Sequence, residues 1–179
     1  MPSFQDRLEA RELRVAILGL GTVGLPLAHA FHAAGFGILG FDTDPERVAL
    51  LARGENPLTY LNHGVLERMI GDDRFEATCD AERLSEADVF VLCVPTPLDE
   101  ARDPDLSCVE RAADTVGRVL RRGALVVLES TTWPGTTREV VLPRLEARSG
   151  LKLGEDFFLA YAPEREDPGR EDLTTRDIP

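Results

Sequence analysis

Short runs of consecutive apolar residues alternate with segments whose apolar positions recur every three or four residues, from residue 13 to about residue 161. A continuous apolar run fits a strand buried on both faces, and the wider spacing fits a helix with one face on a core. The alternation predicts an α/β fold with a mostly parallel sheet. Strands are expected at 13–18, 38–41, 74–78, 89–94, 124–128 and 157–161, with Pro95 stopping the fourth. Helices are expected at 25–34, 46–53, 65–70, from Asp105 or Ser107 to 122, and at 137–148. Asp44-Pro45 reads as an N-cap followed by proline at the first helical position. Val109, Ala112, Ala113, Val116, Val119 and Leu120 would share one side of the long helix. Pro143 lies inside the last helical stretch and is expected to kink or shorten it.

Size and composition narrow the class. At 179 residues and 43% hydrophobic, the chain has room for one well-buried domain and little room for two. No stretch reaches the roughly 18 to 20 consecutive apolar residues of a membrane span. Residues 1–14 are polar and charged, unlike a secretory leader. Cys79, Cys93 and Cys108 are odd in number and irregularly spaced, which fits neither a disulfide framework nor a metal knuckle and suits the cytoplasm. The net charge of −12 disfavours nucleic acid. An anionic dinucleotide remains possible, because backbone dipoles and a few arginines act locally. Lys152 is the single lysine, so nearly every cation is an arginine, a residue suited to phosphate groups.

The chemistry begins at Gly19-Leu20-Gly21-Thr22-Val23-Gly24, directly after the first expected strand and before the first long helix. Strand, glycine turn, helix and a later carboxylate make up the dinucleotide-binding fingerprint. Gly19 permits the tight turn, Gly21 lets a pyrophosphate approach the backbone, and Gly24 lets the helix pack on the strands. The helix then presents free N–H groups and a positive dipole end to the phosphates. Asp42 follows Gly24 by 18 residues, the position of a carboxylate that accepts hydrogen bonds from the adenosine ribose. Its charge would disfavour a 2′-phosphate, so NAD is expected rather than NADP. Arg47, one turn into the next helix, could reach the ribose or adenine side. Alternatively, Asp42 does no more than open a turn ahead of the Asp44 cap.

Ligands of open α/β sheets sit at the carboxyl ends of the strands, and five such ends carry unusual residues here. They are the glycine turn, Asp42, Pro95-Thr96-Pro97, Ser130-Thr131-Thr132 and Pro163-Glu164-Arg165-Glu166. Thr96 and Thr131 could bond cofactor phosphate, ribose or amide, or could satisfy local backbone groups. The charges from Glu164 to Asp167 could equally form a solvated loop. His29 and His32 share a helix face without a third ligand at metal spacing, so packing or exposure is expected of them, and no metal. Cys93 lies inside an expected strand and reads as a small core hydrophobe.

These segments, with Leu25-Pro26-Leu27-Ala28, Gly40-Phe41-Asp42-Thr43-Asp44, Cys93-Val94-Pro95 and Glu129-Ser130, together resemble the UDP-glucose/GDP-mannose dehydrogenase family. The resemblance runs from about Leu13 to the end of the chain. Its Pro-Glu-Arg form is closer to the branch acting on UDP-N-acetylhexosamines than to UDP-glucose dehydrogenases. It implies a Rossmann-like, doubly wound fold and oxidation of a UDP-sugar C6 alcohol to a carboxylate with two NAD, a cysteine thiolate trapping the aldehyde between the two steps. By position it implies Gly19, Gly21, Val23 and Gly24 at the pyrophosphate and Asp42 and Arg47 at the adenosine end. Thr96 and Thr131 would lie further in, Thr131 near the catalytic water. Glu164 would orient or activate that water, and Glu164, Arg165 and Glu166 would adjoin the sugar nucleotide.

The family pattern places its nucleophilic cysteine in a Cys-Phe-Pro-Lys-Asp segment of a second domain that follows a long central helix. None of the three cysteines here has that context. The expected organisation is therefore an extension at 1–12, an NAD-binding domain at 13–168 and a charged tail at 169–179 leading to an absent central helix and second domain. Such a fragment is expected to be inactive alone, and its full-length relatives to be homo-oligomers. The alternative is a stand-alone dinucleotide-binding module. A 6-phosphogluconate-type dehydrogenase shares the glycine turn, but the Ser-Thr-Thr and Pro-Glu-Arg-Glu segments count against it.

Overall fold

Residues 3–58, 68–98 and 103–163 are described in a computed structural model of the chain. Six strands form a single parallel sheet: β1 (Arg14–Leu18), β2 (Gly37–Phe41), β3 (Phe75–Thr78), β4 (Val89–Leu92), β5 (Leu125–Leu128) and β6 (Phe158–Tyr161). Their spatial order is β3-β2-β1-β4-β5-β6. The chain winds outward from β1 in one direction, then returns and winds outward in the other, so the order reverses between β1 and β4. That reversal opens a crevice at the carboxyl ends of the central strands.

Alternation along the strands sends residues to two faces. Val15, Ile17, Ile38, Val89 and Val91 pack with Leu25, Leu27 and Ala28 of α2 (Gly24–Ala33) and Leu51 of α3 (Pro45–Ala52). Ala16, Leu18, Leu39, Phe90, Leu92, Val126 and Leu128 pack with α4 (Ser107–Val119) and α5 (Leu142–Ser149) on the other side. Both faces are buried, which is why the central strands read as unbroken apolar runs. Asp44 caps α3 by accepting from the N–H groups of Glu46 and Arg47, with Pro45 opening the helix as its sequence predicts.

Several boundaries differ from expectation. β4 ends at Leu92 instead of 94, although Cys93 still donates to the Leu18 carbonyl at 2.9 Å. α4 stops at Val119, three residues short of 122, because Leu120 turns extended. Neither expected residue is its N-cap. Leu106 occupies that position, while the Asp105 carboxylate accepts from the Ser107 N–H at 2.8 Å. The 137–148 stretch divides into a wide π turn, Thr137–Val141, and α5, with Pro143 in the first turn where its missing N–H does no harm. Residues 68–70 of the expected 65–70 helix are helical, and 59–67 lie outside the described residues.

Two elements are absent from the apolar pattern. α1 (Phe4–Glu9) is closed by a capping box between Ser3 and Asp6, and a 3₁₀ helix, Ala81–Glu86, is capped by Asp80. α1 is held to the sheet by Asp88, which accepts from both Arg7 guanidinium nitrogens at 2.9 and 2.7 Å and from the Arg14 N–H at 3.0 Å.

Candidate functional site

A cavity of about 710 Å³ lies over the carboxyl ends of β1, β2, β4 and β5, with one face of α4 as a further wall. That is the size of a site for a small organic ligand or cofactor. Four of the five strand ends singled out in the sequence meet here. The fifth, with Glu164, Arg165 and Glu166, lies outside the described residues.

The three glycines of the turn do different work. Gly19 has φ +97°, and a Cβ there would stand 2.5 Å from the Cys93 carbonyl oxygen. A Cβ on Gly24 would stand 1.8 Å from the Gly19 carbonyl oxygen, closer than any atom pair tolerates. A Cβ on Gly21 would meet nothing within 4 Å, because that position opens onto the cavity. Gly19 and Gly24 thus let the turn fold, whereas Gly21 leaves room for a ligand. Thr22 and Val23 line the same wall, and no side chain caps the start of α2. The residues present therefore fit a pyrophosphate: space above Gly21, with uncapped helix N–H groups and a positive dipole end beside it.

Asp42 follows β2 and is 6% exposed. One carboxylate oxygen accepts from the Leu20 N–H at 2.8 Å and from Arg47 Nη1 at 2.9 Å; the other accepts from the Asp44 N–H at 2.9 Å. The Leu20 bond crosses from β2 to the glycine turn, so the carboxylate is locked to that turn. Asp42 forms the local turn, the second of its two readings, and it also lines the cavity. A carboxylate offers about four acceptor positions, so three protein donors leave one for a ribose hydroxyl. Cys79, just after β3, feels the same acidic corner: desolvation and the charges of Asp42 and Asp44 push its thiol above the ordinary value.

The inner end is stitched by hydroxyls. Thr96 Oγ1 donates to the Thr131 carbonyl at 2.8 Å, tying the loop after β4 to the loop after β5. Ser130 is buried and donates to the Val94 carbonyl at 2.8 Å, with the Leu92 carbonyl at 3.2 Å. The Thr96 proton thus serves the backbone while its oxygen lines the cavity, and Thr131 is exposed on the rim.

Sequence reasoning missed part of the lining. Cys93 packs against the core but is not enclosed by it. It is half-buried at the cavity wall, and its thiol lies 3.4 Å from a Glu129 carboxylate oxygen. Cys108, Arg111, Ala112 and Thr115 come from α4. Their i, i+3, i+4, i+7 spacing was visible, but it overlaps the stronger core stripe at Val109, Ala112, Ala113 and Val116. Of the two histidines, His32 is buried with Nε2 3.3 Å from Asp72, and it is not among the residues that line this cavity.

A parallel sheet with a topological reversal, a glycine turn feeding a helix and a carboxylate after β2 define a dinucleotide-binding domain of the Rossmann type. The comparisons with known proteins agree. The model of the UDP-glucose/GDP-mannose dehydrogenase family, NAD binding domain, matches residues 13–177. UDP-N-acetyl-D-glucosamine 6-dehydrogenase of Pseudomonas aeruginosa is 39% identical over 168 residues, 94% of this chain and 39% of that protein. The structure of a UDP-D-ManNAc dehydrogenase from Pyrococcus horikoshii superposes with a TM-score of 0.82 at 40% identity, over 88% of this chain and 38% of the other. A ternary complex of GDP-mannose dehydrogenase from Pseudomonas aeruginosa superposes with a TM-score of 0.84 at 31% identity, over 92% and 38%. The chain belongs to the UDP-glucose/GDP-mannose dehydrogenase family and corresponds to its NAD binding domain. It spans about two fifths of the length of these relatives. Among the described residues no helix is long and apolar enough to cross a membrane.

Proposed function

We propose that this chain is the NAD-binding part of a nucleotide-sugar 6-dehydrogenase that oxidises the C6 alcohol of a UDP-N-acetylhexosamine to the carboxylate. The observation that carries the reading is the cavity itself, where Gly21, Asp42, Thr96 and Thr131 meet in a domain whose named relatives include UDP-N-acetyl-D-glucosamine and UDP-N-acetyl-D-mannosamine dehydrogenases. NAD, when bound, accepts hydride from the sugar carbon. Gly19, Gly21, Val23 and Gly24 hold its pyrophosphate, and Asp42 and Arg47 its adenosine end. Thr96 and Thr131 border its inner half. Thr131, together with Glu164, positions the water that completes the oxidation, and Glu164, Arg165 and Glu166 adjoin the sugar nucleotide. The chemistry asked of Glu164 is that of a general base, a carboxylate's ordinary role at neutral pH.

The sequence carries no Cys-Phe-Pro-Lys-Asp segment to supply a thiolate. On this reading the chain binds NAD but does not turn over. A second domain supplies the nucleophile and most of the sugar pocket, and the assembled enzyme is a homo-oligomer acting in the cytoplasm. The test is NAD reduction with UDP-GlcNAc, UDP-ManNAc and UDP-glucose by the chain alone and by a fusion to the remainder of the Pseudomonas aeruginosa relative. The expected result is no turnover by the first and turnover of an N-acetylhexosamine substrate by the second. Turnover by the chain alone would show that the nucleophile is misplaced. A fusion that folds and binds NAD without turnover would favour a stand-alone binding module.

A further inference from the structure

The roles given above to the strand ends leave the α4 wall of the cavity without one. Among the described residues two arginines line the cavity. Arg47 is paired with Asp42, whereas Arg111 has no ion-pair partner among the described residues. Asp105 lies close enough to feel the Arg111 charge, but its carboxylate oxygens accept from the Ser107 N–H and hydroxyl. Arg111 Nη2 sits 3.1 Å from Cys108 Sγ, one turn back on the helix, and this contact lays the guanidinium along the wall.

The surface beside it is apolar. Leu18, Phe41 and Ala112 line the cavity and belong to one cluster on the α4 side of the sheet. Phe41 is also the residue immediately before Asp42. A ribose held by Asp42 therefore lies in the same cavity as these apolar residues, whose α4 wall carries an exposed guanidinium without an ion-pair partner among the described residues. A flat aromatic base suits such a surface, and a planar, weakly hydrated cation stacks on a π face better than a compact ammonium does.

We propose that Arg111 is a cofactor-binding residue whose guanidinium covers the adenine base seated between Phe41 and Ala112. The proposal rests on the reading that Asp42 takes the adenosine ribose. It assigns α4 a part in recognition as well as in packing, and makes Cys108 the prop that holds Arg111 in place.

Calorimetry on the 179-residue chain with NAD, ADP-ribose and nicotinamide mononucleotide tests it. Arg111→Gln should weaken NAD and ADP-ribose by the same factor, about 5- to 30-fold, and leave nicotinamide mononucleotide unchanged. Arg111→Lys should resemble Arg111→Gln. Because the side chain is exposed, the melting temperature should not move. Wild-type ADP-ribose affinity in Arg111→Gln, with Asp42→Ala weakened, would overturn the Arg111 assignment alone. Unchanged ADP-ribose affinity in Asp42→Ala would remove the ribose reading beneath it. Full rescue by Arg111→Lys would overturn the base contact in favour of a phosphate.

Discussion

Asp42 and Arg47 form an ion pair at 2.9 Å across the first turn of α3, and the same carboxylate oxygen receives the Leu20 N–H of the glycine turn. The carboxylate is thus oriented before any ribose reaches it, and a 2′-phosphate would have to sit against its charge. NAD should bind more tightly than NADP by calorimetry. Asp42→Ala should cost about tenfold in NAD affinity and narrow the difference, since a charge-assisted hydrogen bond is worth about 1.5–3 kcal/mol. Equal wild-type affinities for the two dinucleotides would sink the ribose assignment.

The glycine turn separates folding from binding. Gly24→Ala drives a Cβ into the Gly19 carbonyl and should destabilise the domain by more than about 3 kcal/mol in urea titrations. Gly21→Val should melt close to the wild-type temperature yet lose NAD binding, because its side chain projects into open space that a pyrophosphate needs. If Gly21→Val retained full affinity, the pyrophosphate would have to lie elsewhere.

Asp88 joins three donors from two separate elements, two on Arg7 and one on Arg14. Asp88→Ala should cost about 2 kcal/mol, mostly from stranding the partners it leaves, whereas Arg7→Ala should cost about 1 kcal/mol. Hydrogen exchange checks the mechanism: in both variants residues 4–9 should lose protection ahead of the sheet. Uniform loss across the domain would show that α1 is not tethered through Asp88.

Asp114 on α4 faces Arg148 and Arg144 of α5 at 3.1 and 3.4 Å. The hydrogen bond from Arg148 holds its carboxyl below the ordinary value, against an opposing effect of burial. A depressed folded-state pKa means that the stabilisation is complete above the unfolded value near 3.9 and is lost as pH falls through the folded one. Arg148 is 47% exposed, so solvent screening limits the contribution to about 1 kcal/mol. Asp114→Asn should lower stability by that amount at pH 7, and the gap to wild type should narrow progressively as pH falls below the unfolded value. A gap that does not narrow at all as the pH falls below the ordinary carboxylate value would mean that the charge is not what matters.

Much of this was legible in the sequence because the local signals agreed with the global fold. The apolar runs were strands, Asp44-Pro45 opened a helix, and four chemically unusual strand ends converged on one cavity. The sequence pattern was silent where the signal was not apolar. α1 depends on a Ser3–Asp6 capping box and the Asp88 tether, neither of which hydrophobic periodicity detects. Arg111 and Cys108 escaped notice because a helix that both packs and lines a cavity carries two stripes, and Ala112 belongs to each. Cys93 read as core because a strand's last residue looks internal until the ladder is seen to end at Leu92.

The Ser130 and Thr96 hydrogen bonds join the backbones beyond β4 and β5 with no help from a ligand. Wherever a nicotinamide ring comes to rest along that rim, its seat already exists, and little conformational entropy remains to be surrendered on arrival. Selectivity at this end then draws on the shape of a surface that Thr96 and Ser130 hold together.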